Sequence, residues 1–153
     1  MAALQADVWL GDSLGEMALY YTLSELALLG GSFEALGGQN LIEAAALMEA
    51  NLEEPLSLDE IAALVGVSRR QIERLFKRYV GEVPTKYYLD MRLRRARGLL
   101  LQTAMSIMDI AVACGFQSPP HFSKCYRNMF GHTPSAERQN SRRGVLQPTS
   151  PEH

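Results

Sequence analysis

An internal repeat constrains the fold of this chain more than any other feature of its sequence. The block Ile61, Ala62 and Gly66 recurs as Ile110, Ala111 and Gly115, at an offset of 49 residues. Gln117 adds one residue to the second copy, and the resulting offset of 50 relates four further pairs: Ser68 and Ser118, Phe76 and Tyr126, Gly81 and Gly131, Pro84 and Pro134. Because similarity at a fixed offset marks repeated supersecondary units, the chain is predicted to contain two copies of one small unit.

Each copy has the local signals of two short helices joined by a tight turn. Gly66 and Gly115 suit the left-handed backbone that ends a helix sharply. Ser68 and Ser118 suit the N-cap of the helix that follows. Two short helices that cross steeply over a turn of about three or four residues form a helix-turn-helix, so this motif is predicted twice.

The rest of the pattern predicts an all-α chain of about seven helices, with two helix-turn-helix subdomains joined by a long connecting helix. Ser57 and Glu60 have the spacing of a capping box, and Pro84 suits the first turn of the connecting helix. A short last helix is expected near Ser135–Gln139. The predicted divisions are an N-terminal segment or linker at 1–40, a first unit at 41–83, the connecting helix at 84–102, a second unit at 103–140 and a disordered tail at 141–153.

The N-terminal segment, residues 1–40, contains no basic side chain. Leucines at helical spacing between residues 14 and 29 predict one helix, and the glycine pairs that follow predict a flexible joint. A segment without cations is a poor candidate for phosphate contact. A segment without a function of its own is the preferred interpretation, and a linker, the remnant of an upstream domain or a dimerisation helix are the alternatives.

Charge is strongly segregated along the chain, although the net charge is only −2. Residues 1–68 carry eleven acidic and no basic side chains, whereas residues 69–143 carry all 15 Lys and Arg with five acidic side chains, a net charge of +10. A basic block of this size is typical of proteins that bind a polyanion such as nucleic acid. A solvated basic face is the alternative that charge alone leaves open.

The outward faces of the second helices favour DNA binding over a structural αα-hairpin, whose outer face would carry mixed charge. In the first copy, apolar side chains such as Ile72 and Phe76 cluster on one side of the helix and cations on the other. The candidate DNA-binding residues of the first copy are Arg69, Arg70, Gln71, Glu73, Arg74, Lys77 and Arg78. In the second copy Phe122, Cys125, Tyr126 and Met129 are expected to face the core, and the candidates are His121, Ser123, Lys124, Arg127 and Asn128.

These candidates have different expected roles. Arg70, Glu73 and Arg74 are predicted base readers, because Arg makes bidentate contacts with guanine and Glu can accept from cytosine N4. Alternatively, Glu73 orients Arg70, Arg74 or Lys77 through helical pairs. Arg69, Lys77 and Arg78 are predicted to contact phosphates.

Four arginines on the connecting helix form a second basic group. They are Arg92, Arg94, Arg95 and Arg97. Contact with DNA is one interpretation. The alternative, especially for Arg92 and Arg97, is a structural role in ion pairs with Asp90, Asp109 or Glu82.

Other classes of protein are disfavoured. Cys114 and Cys125 are expected to be small buried residues, and their spacing to His121 and His132 fits no common zinc module. No nucleophile–base pair or phosphate loop is recognisable, so neither catalysis nor a cofactor is expected. The longest apolar stretch, Met17–Leu29, is too short and too polar to cross a bilayer and follows no basic region, so a cytoplasmic protein without a membrane partner is expected.

Three stretches resemble the AraC/XylS family of bacterial transcription regulators. LSLDEIAALVGVSRRQIERLFKRYVGEVPTKYY resembles the first helix-turn-helix of that family, YYLDMRLRRARGLLLQ its connecting helix, and SIMDIAVACGFQSPPHFSKCYRNMFGHTPSAER its second helix-turn-helix. The resemblance covers roughly residues 41–140. The opening LIEAAALMEANLEEPLSLDEIA is similar to members with a DJ-1/PfpI-like, amidotransferase-related sensor domain, for which residues 1–40 are too short.

The resemblance implies a sequence-specific regulator whose second helices enter two successive major grooves of double-stranded DNA. Such grooves lie about 34 Å apart, and a connecting helix of about eighteen residues spans roughly 27 Å. By analogy the full-length regulator would activate transcription and contact RNA polymerase. A homodimer through the N-terminal helix is compatible with this function, and a protein-interaction module with only non-specific DNA binding is the alternative.

The second unit departs from the family pattern. Pro119 and Pro120 stand where polar base readers are common in the family, and proline cannot hydrogen-bond a base edge. The first unit is therefore predicted to supply most of the base specificity, and the second unit to contact mainly the DNA phosphates.

Overall fold

The computed structural model describes residues 38–145, which form helices joined by turns and loops and contain no strand. The helices are α1 Gly38–Ala50, α2 Leu58–Val65, α3 Arg69–Tyr79, α4 Pro84–Gln102, α5 Ile107–Ala113, α6 Pro119–Phe130 and α7 Pro134–Val145. The all-α prediction is confirmed, and α4 has the bounds predicted for the connecting helix. The helix predicted between residues 14 and 29 lies outside the described residues, and so does the predicted joint as far as residue 37. The last part of that joint, predicted to extend to residue 40, is instead the first turn of α1, where Gly38 is buried.

Capping residues fix where the helices of both helix-turn-helix units begin and end. The Ser57 hydroxyl accepts from the Glu60 N–H at 3.2 Å, and the Glu60 carboxylate accepts from the Ser57 N–H at 2.7 Å, which confirms the predicted capping box. Gly66 ends α2 with φ of 83°, and Gly115 follows α5 with φ of 77°, both in the left-handed region that glycine adopts at little cost. Ser68 and Ser118 then cap α3 and α6.

The first hydrophobic core lies between α1, α2, α3 and the first half of α4. Ile72 and Phe76, the buried face of α3, pack against Ile61 of α2 and against α1. The ring of Tyr87 on α4 meets the ring of Phe76 edge-to-face, with centroids 5.2 Å apart. With this face buried, α3 presents its charged side outward.

The second core uses the other half of α4. Leu93, Ala96 and Leu100 of α4 pack against α5 and against the aromatic face of α6. The Phe122 ring lies between the rings of Phe116 and Tyr126, tilted to the first with centroids 5.0 Å apart and edge-to-face with the second at 5.8 Å. Since both cores share α4, this helix connects two units that each bury their own apolar face.

The last helix is longer than predicted. α7 extends from Pro134 to Val145 and so includes the first residues of the predicted tail. The Arg138 guanidinium anchors it to α4, donating to the carbonyls of Leu100 and Met105. The sequence after Gln139 contains no proline until Pro148, and cations near the C-terminus of a helix interact favourably with its dipole.

Glu137, on the same helix, is a buried acidic side chain that is only 8% exposed. Its carboxylate accepts hydrogen bonds from the Tyr126 hydroxyl at 3.1 Å and from Nε of Arg97 at 3.3 Å, and it also contacts Nε2 of His132. Burial alone would raise the pKa of Glu137, but the hydrogen bonds from His132 and Tyr126 and the charge of Arg97 outweigh burial and lower it. The ionised carboxylate therefore ties α7 to α4 and α6.

Replacement of Glu137 by glutamine is expected to reduce the free energy of unfolding by about 1–3 kcal/mol near neutral pH, because the amide keeps one acceptor oxygen but loses the charge and the second acceptor. The pKa of Glu137 is lowered from 4.5 on folding, so its ionisation stabilises the wild-type chain above that pH. This stabilisation is lost as the pH falls through the lowered pKa. Urea unfolding of both chains between about pH 7 and about pH 3 should show the difference shrinking; a constant difference would contradict this role.

Candidate nucleic-acid interface

The outward side of α3 carries a row of exposed cations. Arg70, Arg74 and Lys77 are exposed and recur at the spacing that aligns side chains on one helix face. Within residues 38–145 none of the three forms an ion pair. We call these three residues the first basic row. It borders an open cleft of about 850 Å³, whose other walls include Leu58 at the start of α2 and Pro84 at the start of α4.

Arg69 lies beside this row but is differently placed. Its guanidinium contacts Oδ2 of Asp59 at 3.2 Å and Oε1 of Glu73 at 3.0 Å. The hydrogen bond to Glu73 and the charge of Asp59 raise the pKa of Arg69. Glu73 thus pairs with Arg69, and not with Arg70, Arg74 or Lys77 as the alternative interpretation expected. Two carboxylates balance the charge of Arg69, which weakens the case for a phosphate contact.

Gln71, another residue predicted to contact DNA, uses its side chain to cap the start of α3. Its Oε1 accepts from the Ser68 N–H at 2.9 Å, while the Ser68 hydroxyl accepts from the Gln71 N–H at 3.2 Å. The two residues form a capping box, which fixes the start of α3. Arg78 stands at the other end of the helix, with its guanidinium over the Tyr79 ring at 5.3 Å.

The outward face of α6 is less basic than that of α3. Lys124, Arg127 and Asn128 are exposed, and Ser123 is partly buried. The exposed His121 ring lies 3.7 Å from the Cys125 thiol, measured from Nε2 to Sγ. The helix begins with Pro119 and Pro120, as predicted, so neither of its first two residues has a backbone N–H donor.

Two of the four arginines on α4 have structural partners, but not those predicted. Arg92 donates to the carbonyls of Cys114 and Gly115, at 2.7 Å and 2.6 Å, and Arg97 binds Glu137. Glu82 and Asp90 instead flank Lys86, each at 2.8 Å, because i,i+4 spacing places them one turn to either side of it. Arg92 is partly buried, and this burial lowers the pKa of its guanidinium.

The two cysteines differ in burial: Cys114 is buried as predicted, whereas Cys125, also predicted to be buried, is partly exposed. Cys114 is buried, and burial raises the pKa of its thiol to about 11, so it remains protonated and a poor nucleophile. Within residues 38–145 no three His, Cys, Asp or Glu side chains are grouped as metal ligands. No helix in that part of the chain is both long and apolar enough to cross a membrane.

This arrangement defines a tandem helix-turn-helix domain, and comparisons with known proteins agree. A family described as a helix-turn-helix domain matches residues 61–140. The crystal structure of a transcriptional regulator from Chromobacterium violaceum, of the AraC-type DNA-binding domain-containing proteins, is 60% identical with a TM-score of 0.66, covering 74% of this chain and 98% of that chain. The DNA-binding domain of AdpA, solved with a target DNA, is 29% identical with a TM-score of 0.67, covering 71% of this chain and 98% of that chain.

The HTH-type transcriptional regulator ArgR of Pseudomonas aeruginosa is 60% identical over 104 residues, which are 68% of this chain and 31% of that regulator. This chain therefore spans about a third of the length of the curated relatives that it matches. It belongs to the AraC-type family of helix-turn-helix transcription regulators, which confirms the resemblance stated above.

Proposed function

We propose that this chain is the part of an AraC-type regulator that binds its operator sequence-specifically, with α3 and α6 in successive major grooves. The first basic row carries this proposal. It projects three exposed cations from one face of a helix whose opposite face is buried, as a helix that docks into a major groove requires. The structure of AdpA with a target DNA supports DNA as the partner of this fold.

Within α3 we assign different roles to the cations. Arg70 and Arg74 are the base readers, since each can offer a guanine two parallel donors. Lys77 and Arg78, nearer the C-terminus of the helix, contact phosphate. The pair of Arg69 and Glu73 packs beside the readers and limits how Glu73 can meet a base.

The second unit contributes less base specificity in this account. Pro120 offers at most an apolar contact, for example with a thymine methyl group, and His121 and Lys124 remain the candidate polar readers. Single base-pair changes in the half-site of α3 are expected to cost about 1–3 kcal/mol each, and changes in the half-site of α6 clearly less. Binding to a panel of single-mismatch duplexes measures both sets; equal costs in the two half-sites would contradict the asymmetry.

Selection from a random duplex library tests the proposed function. The chain should enrich one sequence with two blocks about ten base pairs apart, one helical turn. Enrichment of no sequence above the starting library would contradict it.

The remaining roles concern the full-length regulator. We infer that it works in the cytoplasm, activates transcription through RNA polymerase and has no catalytic activity. The resemblance of residues 41–62 supports a DJ-1/PfpI-like sensor domain as the controlling part. A dimerisation role for residues 14–29 stays a prediction, since that segment lies outside the described residues.

A further inference from the structure

The two helix-turn-helix units touch each other away from the axis of α4. The contact joins the α1–α2 loop of the first unit to the α5–α6 turn of the second, with two α4 side chains beside it. We call this contact the junction, and it consists of Leu52, Pro55, Tyr88, Arg92 and Gly115.

Arg92 holds the turn of the second unit in place. Its Nε donates to the Cys114 carbonyl and an Nη to the Gly115 carbonyl, and its guanidinium lies 4.2 Å from the centre of the Phe116 ring. The planar fork thus satisfies carbonyls at the end of α5 and stacks on an aromatic face at once. A lysine at this position would keep the charge but lose the fork.

Gly115 lies directly against the α1–α2 loop of the first unit. A Cβ built on Gly115 would lie 2.6 Å from the Leu52 carbonyl oxygen and 2.6 Å from Cγ of Pro55. Its counterpart in the first unit, Gly66, has a similar positive φ, but a Cβ there would meet nothing within 4 Å. The backbone of both turns favours glycine, whereas only the second turn needs glycine for contact with the other unit.

Tyr88 fixes the loop on the other side of this contact. Its hydroxyl donates to the Asn51 carbonyl and accepts from the Leu56 N–H at 3.2 Å. The loop at 51–56 is therefore held by α4 from one side and meets Gly115 on the other. Both surfaces of the junction are anchored to the same helix, one turn apart, at Tyr88 and Arg92.

We propose that the junction sets the relative orientation of α3 and α6, so that Arg92 and Gly115 are positioning residues that restrict the chain to one spacing of its two half-sites. This inference rests on the proposed function. If α4 were the only connection, the two units could change their orientation relative to each other. A second contact beside α4 restricts that change. Insertion of one base pair rotates one half-site by about 34° relative to the other. If the orientation of α3 relative to α6 is fixed, the two helices cannot both adjust to this rotation.

The test compares spacing profiles. The probe is the duplex that the wild-type chain selects from a random library, together with versions that carry one or two base pairs inserted or deleted between the half-sites. Binding is measured for wild type, Arg92→Lys, Gly115→Ala and the control Gly66→Ala, which has the backbone strain without the close approach. Circular dichroism identifies any variant that fails to fold. If Gly115→Ala does not fold, the spacing profile of Arg92→Lys, which keeps the charge, decides the test.

Wild type and Gly66→Ala should lose about tenfold or more in affinity at each altered spacing, the scale of a lost base contact. Arg92→Lys and Gly115→Ala should lose no more than about threefold there. Profiles of both folded variants that match wild type, or affinity lowered equally at every spacing, would overturn the inference while leaving specific binding intact. A wild-type chain that prefers no duplex over random DNA would overturn the proposed function, and with it this inference.

Discussion

The affinity of the chain for its selected DNA site is expected to fall about 5- to 150-fold when Arg74 is replaced by alanine, because one bidentate base contact is worth about 1–3 kcal/mol. Arg74 is exposed near the middle of α3 and forms no ion pair within residues 38–145. Its guanidinium need break no bond before it meets a base edge. Fluorescence anisotropy with the selected duplex and a random duplex measures the effect, and the affinity for random DNA should fall much less.

Lys77 provides the matched control for Arg74. It lies one turn further along α3 on the same face, so Lys77→Ala removes the same charge from the same surface. If Lys77 contacts phosphate, this variant should weaken binding to both duplexes by similar factors and reduce the salt slope by about one. A variant Arg74→Ala that lowers the affinity for both duplexes equally would contradict base reading by Arg74.

The free energy of unfolding is expected to fall by about 2–4 kcal/mol in Gly115→Ala. A left-handed φ costs a residue with a Cβ about 1 kcal/mol or more, and overpacking against fixed backbone adds about 1–3 kcal/mol. The added Cβ would overlap the Leu52 carbonyl oxygen and the Pro55 ring, neither of which can rotate away. Urea denaturation followed by circular dichroism measures the loss.

Gly66→Ala separates the two costs of the glycine substitution. Because φ is 83° at Gly66 and 77° at Gly115, the backbone strain is nearly the same, but no atom lies within 4 Å of a Cβ at Gly66. This variant should lose only about 1 kcal/mol. Equal losses in the two variants would show that the close approach at Gly115 adds nothing to stability.

Most of the fold could be predicted because its signals are local. The box of Ser57 and Glu60, the cap at Ser68 and the proline that opens α4 each act within one helical turn, and all were found where the sequence placed them. The buried faces of α3 and α6 also followed from helical spacing, since Phe76 and Tyr126 are fully buried. Local propensity and tertiary packing agree at these positions.

The contacts that escaped prediction join residues distant in sequence. Arg92 binds carbonyls more than twenty residues away, and Arg97 reaches Glu137 across 40 residues. The predicted partners, Asp90, Asp109 and Glu82, were wrong because backbone carbonyls carry no sequence signal and because Glu137 is brought to Arg97 only by the packing of α7. The same limit applies to α7, whose extension beyond Gln139 accompanies the hydrogen bonds of Arg138 to Leu100 near the end of α4 and to Met105 in the loop that follows.

The candidate site was predictable as a surface but not as a set of individual roles. Helical spacing correctly separated the exposed cations from the core, whereas the pairing of Arg69 with Asp59 depends on how α2 crosses α3. The capping role of Gln71 had a local signal, because serine followed three residues later by glutamine has the spacing of a capping box. The roles assigned to Arg70 and Arg74 stay predictions.

The central claim is sequence-specific DNA binding by the tandem units, and a salt-titrated comparison of two duplexes tests it most directly. Dissociation constants for the selected duplex and a random duplex of equal length are measured over a range of salt concentrations. The account predicts that both affinities fall linearly on a logarithmic scale, as counterions are released, and that the selected duplex binds roughly a thousandfold more tightly or better near physiological salt. Equal affinity for the two duplexes at every salt concentration would contradict it.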